Sequence, residues 1–177
     1  MTGSAFTRPR RVLTHAAALR MLAAAAERAD AIGAPQNVSI VDEGGNLLGF
    51  LRTDGAKLVS RETSLSKAIT AASHRQPTGR FSPEMEPRLA SASGGRLTNL
   101  AGGLPILIDG ECVGGIGVGS GTPDQDVEVA KAALLRRVAR LCGRSPAAPH
   151  RQPDGEPRTA RGLVGRSSRP DRGGALL

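Results

Sequence analysis

The first apolar pattern in the chain has a helical interval. After a polar, Pro-containing start over residues 1–12, Thr14 stands where an N-cap would. Leu19, Leu22, Ala26 and Ala29 follow three or four residues apart, the spacing of one helix face, while Arg20 and Glu27 fall elsewhere. Gly33 and Pro35 stop this helix. The interval then shortens. Val38, Ile40, Leu47, Leu48, Phe50 and Leu51 make short apolar runs around Asp42-Glu43-Gly44-Gly45-Asn46, whose adjacent glycines can supply positive φ in a hairpin turn. Asp54-Gly55 closes the second strand. Residues 60–76 read as a helix with Leu65, Ile69 and Ala72 on one side, ended by Pro77.

In residues 78–101, Pro83 and Pro87 break any long helix, so a short helical turn followed by a loop is predicted. Residues 104–108 and 112–118 form a second hairpin about Asp109-Gly110. Gly114, Gly115, Gly117, Gly119 and Gly121 crowd its second strand and exit. Glycines offer no side chain, which points to a helix or ligand pressed against the backbone. Thr122-Pro123-Asp124 opens the last helix with a cap and an N1 proline. Asp124, Asp126 and Glu128 lie at its positive end, and Arg136, Arg137 and Arg140 at the other. Val127, Ala130, Leu134, Val138 and Leu141 supply its predicted buried stripe. Past Gly143 the apolar period vanishes among Pro, Gly and Arg. Hairpins require antiparallel pairing and the helices between them must cover the sheet, which is an α+β layered domain rather than a doubly wound parallel one. The predicted organisation is a flexible arm over residues 1–12, one domain over 13–143, and a disordered basic tail over 144–177.

Composition changes this picture in three ways. The chain has 177 residues, room for one core, and only three Phe with no Tyr or Trp, so that core is aliphatic. Lacking stacking platforms, the chain is a poor nucleic-acid binder despite its formal charge of +8. Half of that surplus lies in the tail, where seven Arg face three acids among Pro and Gly, a solvated composition. No apolar run is long enough to span a membrane. Arg8, Arg10 and Arg11 precede an Ala/Leu-rich stretch as in a signal peptide, but His15 and Arg20 interrupt it, so an amphipathic helix and a cytoplasmic location are expected. Cys112 and Cys142 lack metal or redox spacing and read as reduced thiols; no zinc pattern is present. The residues after Gly121 are Thr122-Pro123 rather than the Lys of a phosphate loop, so no nucleotide is expected.

Several motifs occur in order: Val41-Asp42-Glu43-Gly44-Gly45, Arg52-Thr53-Asp54-Gly55-Ala56, Lys67-Ala68 with Thr70-Ala71, and Gln76-Pro77-Thr78. Gly102-Gly103-Leu104-Pro105-Ile106 and Asp109-Gly110-Glu111-Cys112-Val113-Gly114-Gly115-Ile116-Gly117-Val118 follow. With this series the chain resembles the GlcG/HbpS family of haem-binding proteins over residues 13–142. The resemblance implies a profilin-like antiparallel sheet built from hairpins with helices packed against it, and homo-oligomeric assembly. Relatives include a domain fused to corrinoid adenosyltransferases, and others lie in small organic acid pathways.

Two functions follow, and a purely structural partner domain is a third. The first is haem binding in a cleft between the central helix and the Gly-rich hairpin. Haem needs an iron ligand, an apolar slot and cations for its propionates. His74 and His15 are the imidazoles available within the folded region, with His74 the metal ligand named, and Arg75 could pair with a propionate; the bland alternative for Arg75 is a helix C-terminal cation. Backbone amides near Gly103 and Gly115 could line the cleft, although close helix packing explains those glycines equally well. The second is an enzyme acting on a small carboxylate or oxo acid. Lys67, typical of the family at its position, could hold a carboxylate or, in a dry site, move a proton or form an imine. Its alternative is a solvated charge or a salt bridge to Asp54. Arg52 and Asp54, two residues apart, could serve as substrate cation and general base, or simply pair with each other. Asp42 before the Gly pair is chiefly a turn cap.

Overall fold

The structure is a computed structural model and describes residues 6–135. Thr14 caps the first helix, its Oγ1 accepting from the Ala17 amide at 3.2 Å, and α1 runs His15–Ala31. Its buried face is Ala18, Met21, Leu22, Ala25 and Ala29, rotated from the stripe expected of the sequence: Leu19 is 63% exposed and Ala26 only half-buried. In a helix this rich in alanine two faces are nearly equally apolar, and the sheet selects between them.

Two hairpins follow the predicted turns. β1 (Asn37–Asp42) pairs antiparallel with β2 (Leu47–Arg52), with Gly45 at φ +78°. β3 (Gly103–Ile108) pairs antiparallel with β4 (Glu111–Gly119) through Asp109 and Gly110, both at positive φ as a tight two-residue turn requires. β1 and β4 also pair antiparallel, giving one four-stranded sheet in the order β2-β1-β4-β3. Asp42 caps the first turn, its Oδ1 accepting from the amides of Gly44 and Asn46, both at 2.9 Å.

Helices cover both faces. α1 and α4 (Pro123–Leu135) pack against each other and one face of the sheet; α2 (Ser60–His74) packs on the other. Alternation along the strands divides the side chains accordingly. Val38, Ile40, Ile116 and Val118 join the larger aliphatic core with α1 and α4, all fully buried. Ser39, Val41, Gly115 and Gly117 turn toward α2, where a smaller cluster forms from Val41, Ala68 and Ala72, flanked by Leu65 and Ile69. The α4 stripe is Val129, Ala130 and Ala133, with Val127 and Leu134 half-buried; Val138, Leu141, Arg136, Arg137 and Arg140 lie outside the described residues.

α2 stops at His74 because Arg75 adopts the left-handed conformation at φ 56°, two residues before Pro77. The segment read as a short helical turn followed by a loop contains α3 (Met85–Ala92), eight residues with none buried. Pro87 lies in its first turn, where a missing N–H costs nothing. Residues 6–12 include Arg10, paired with Glu43, and Arg11, paired with Asp109, so each hairpin turn receives an arginine from the chain's start. The basic tail and Cys142 lie outside the described residues, and Cys112 is a free thiol. Among the described residues, no helix is long and apolar enough to cross a membrane.

Candidate functional site

The site begins with how closely α2 approaches β4. Gly115, Gly117 and Gly119 share one face of β4, opposite the small residues Ser60, Ser64, Ala68 and Ala72 spaced four apart on α2. A Cβ at Gly117 would lie 2.0 Å from the Ser64 carbonyl oxygen, and one at Gly115 2.2 Å from that of Ala68. At Gly103 it would lie 2.5 Å from the Lys67 carbonyl oxygen. Helix backbone therefore rests directly on strand backbone, and at Gly103, Gly115 and Gly117 this contact closes the cleft expected between the central helix and the Gly-rich hairpin.

The same approach brings Lys67 under the end of β4. Lys67 is 4% exposed; its Nζ donates to Asp126 Oδ2 at 2.7 Å and to the Val118 carbonyl at 2.8 Å. Asp126, in the first turns of α4, accepts a further bond on Oδ1 from the Gly121 amide at 3.0 Å. α4 is held there by a reciprocal capping box: the Thr122 amide donates to Gln125 Oε1 at 2.9 Å, and the Gln125 amide to Thr122 Oγ1 at 3.3 Å. A buried ammonium and carboxylate are tolerable in this position because each charge has a partner and further hydrogen bonds.

The pair forms part of the wall of a cavity of about 280 Å3 that opens beyond the N-terminal half of α2. Ser60, Thr63 and Ser120 add hydroxyls; Val59, Leu100 and Pro123 add apolar wall. A second cavity of about 240 Å3, beside Pro35 and Gln125, shares Lys57, Ser120 and Gly121 with the first. The Lys57 amide donates to Ser120 Oγ at 2.9 Å across that shared ridge. Just behind it, the fully buried Gln36 accepts from the Gly121 amide at 3.2 Å.

The other residues singled out in the sequence are dispersed. Arg52 ends β2 and Asp54 sits in the following turn; both are exposed, and among the described residues they pair neither with each other nor with Lys67. The salt-bridge partner of Lys67 is Asp126 rather than Asp54, and its amine is not solvated. His15 is exposed at the start of α1. His74 is half-buried at the far end of α2, its ring edge-on to Phe81 with centroids 4.7 Å apart and its Nδ1 3.3 Å from the Thr70 carbonyl oxygen. Arg75 beside it is exposed. Gly103 and Gly115 are buried against α2 backbone. Among the described residues, no group of three His, Cys, Asp or Glu side chains converges as a metal site. Sequence reasoning placed Asp126 only as a helix-terminal charge, and passed over Ser60, Thr63 and Ser120. Nothing in the local sequence marks a pairing of Lys67 and Asp126 across 59 residues.

Comparison with known proteins gives a consistent answer. A protein of 15.0 kDa encoded in the dhaT-dhaS intergenic region of Citrobacter freundii is 40% identical over 128 residues, covering 69% of this chain and 89% of that protein. The crystal structure of the Klebsiella pneumoniae protein ORFY matches with a TM-score of 0.70 at 33% identity, over 75% of this chain and 95% of that one. The crystal structure of a PduOC:heme complex matches with a TM-score of 0.65 at 32% identity, over 71% of this chain and 94% of that one. A family model described as haem degrading protein HbpS-like matches residues 13–135, nearly the whole described fold, and the chain belongs to that HbpS-like family.

Proposed function

We propose that this protein binds haem and that His74 supplies the imidazole to its iron. Family membership and the haem complex of a structural neighbour support the ligand class. The observation that carries the residue assignment is the contact of His74 Nδ1 with the Thr70 carbonyl oxygen. A ring nitrogen bonded to a carbonyl carries the proton, which leaves Nε2 with its lone pair, the usual arrangement of a metal-bound histidine. Phe81, edge-on to that ring, and Leu107, 44% exposed on the edge strand β3, offer apolar surface. Arg75 offers an exposed cation for a propionate.

Both cavities, at about 280 and 240 Å3, fall below the roughly 300–1,000 Å3 typical of pockets for drug-sized ligands, so neither would enclose the whole macrocycle, which would rest on the open surface beside His74. When bound, haem supplies a redox-active iron. The Thr70 carbonyl would hold the His74 tautomer, and Arg75 would pair with a propionate. Self-association belongs to the same reading: β2 is an edge strand with Leu47, Leu48 and Phe50 exposed, and sedimentation of the purified protein tests it. A cytoplasmic location goes with it and is tested by cell fractionation.

Hemin titration tests the proposal. A saturable Soret band at one haem per chain is expected, lost or shifted in His74→Ala and unchanged in His15→Ala. A titration indistinguishable from nonspecific hemin adsorption defeats haem binding. A wild-type spectrum and affinity in His74→Ala defeats the ligand assignment alone.

A further inference from the structure

We infer that the 280 Å3 cavity beside the Lys67–Asp126 pair is a binding site for a carboxylate on a short aliphatic chain. The argument rests on a surplus of hydrogen-bond donors. An ammonium has three N–H groups, and Lys67 uses two, on Asp126 and Val118. The third has no acceptor among the described residues. Ser60 lines the same cavity at 7% exposure, and its hydroxyl has no partner among them. Ser120 Oγ accepts from the Lys57 amide, which leaves its O–H free to donate. Together with the ammonium's third N–H, these two hydroxyls place donors around one small volume, which favours a ligand that accepts hydrogen bonds.

Charge and shape narrow the class. The ionisable groups lining the cavity are Lys57, Lys67 and Asp126, an excess of one positive charge that matches a monoanion. Val59, Leu100 and Pro123 give the remaining wall an aliphatic character, suited to a hydrocarbon tail. Gly102 and Gly121 let the chain close tightly around the pair: a Cβ at Gly121 would lie 2.4 Å from Gln36 Nε2, and one at Gly102 2.7 Å from the Val118 carbonyl oxygen. A neutral amide or polyol fits less well, because it brings no negative charge to balance the excess cation of the lining.

The carboxylate has two sources, a free short-chain acid or a propionate of haem. Lys67 and His74 lie seven residues apart on α2, about 10 Å along its axis, so the cavity and the imidazole are tested independently.

The test is titration of the isotopically labelled full chain with sodium butyrate, followed by the amide resonances of Ser60, Thr63, Ser120 and Gly121. Butyramide and sodium chloride at matched ionic strength are the controls. Saturable shifts with butyrate alone are expected. Ser60→Ala and Lys57→Met, which leave the buried pair in place, are each expected to raise Kd by roughly five- to tenfold while preserving the dispersed spectrum of the folded protein. Shifts no different from those with chloride, equal binding of butyramide, or wild-type affinity in both variants would overturn the assignment. Repeating the titration with hemin-saturated protein separates the sources. Loss of the butyrate response identifies a propionate in the cavity and its persistence identifies a free acid, and either result supports the carboxylate site.

Discussion

Replacing Gly117 by alanine adds one methyl group at the place where α2 backbone rests on β4. That carbon would lie 2.0 Å from the Ser64 carbonyl oxygen, 2.5 Å from the Ala68 nitrogen and 3.0 Å from the Lys67 Cβ. Relief requires the helix to lift by about 1 Å or more, since carbon–oxygen contacts much below van der Waals distance are strongly repulsive. Overpacking of this kind costs about 1–3 kcal/mol by itself. The same lift draws Lys67 away from Asp126 and Val118, and a buried pair deprived of its partner loses about 3–5 kcal/mol. A total of at least about 4 kcal/mol is therefore expected, a large share of the roughly 5–15 kcal/mol that holds an ordinary domain folded.

The comparison variant is Gly33→Ala, where φ is +60° and a Cβ would meet nothing within 4 Å. It carries backbone strain alone, about 1–2 kcal/mol. Urea unfolding of both variants, followed by far-ultraviolet circular dichroism, measures the difference. Because the close contact at Gly117 is with backbone, adding Ser64→Gly must not restore the lost stability. A Gly117→Ala variant no weaker than Gly33→Ala, or one rescued by Ser64→Gly, refutes the account of the seam.

Three other outcomes follow from the same geometry. Lys67→Met leaves Asp126 buried without its cation and should lose about 3–5 kcal/mol in urea unfolding, whereas Lys67→Met with Asp126→Leu should recover most of it; equal losses in both would mean the pair is not the source. At Asp42, burial alone would raise the carboxyl's pKa, but hydrogen bonds from Asn46 and Gly44 and the nearby Arg10 outweigh it and hold the group below its ordinary 3.8. Its stabilising contribution is therefore fully present above that value and lost as pH falls through the lower folded-state value, so the stability gap between wild type and Asp42→Ala should be largest near neutrality and close in strong acid. A gap independent of pH counts against the turn's electrostatic role. Thr122→Ala removes half of the α4 capping box and should cost about 1 kcal/mol in thermal or urea unfolding, with no change if the cap is solvated instead.

The hairpins were legible because tight turns have a narrow chemistry. Gly45, Asp109 and Gly110 supply the positive φ that few other residues tolerate, and the alternation beside them sets which side chains face inward. The last helix was legible from Thr122-Pro123 for the same reason, a local hydrogen-bonding need met by local residues. The α1 face was not legible, since alanine on several sides leaves the rotation to whatever packs against it. The helical turn expected between residues 78 and 101 is there as α3, but its eight-residue length was not legible because a proline in a first turn reads like a breaker.

By itself, then, the sequence determined element order, turn positions, the aliphatic core and the presence of a glycine-rich strand requiring a close neighbour. It did not contain the identity of that neighbour's atoms, nor the partner of Lys67. Both arise only when α2 settles onto β4, because a strand face without side chains lets helix backbone approach within contact of strand backbone. That short separation carries the lysine amine beneath the strand end to an aspartate 59 residues away. Local chemistry sets turns and caps, whereas a buried charge pair depends on distances that exist only after the layers have packed.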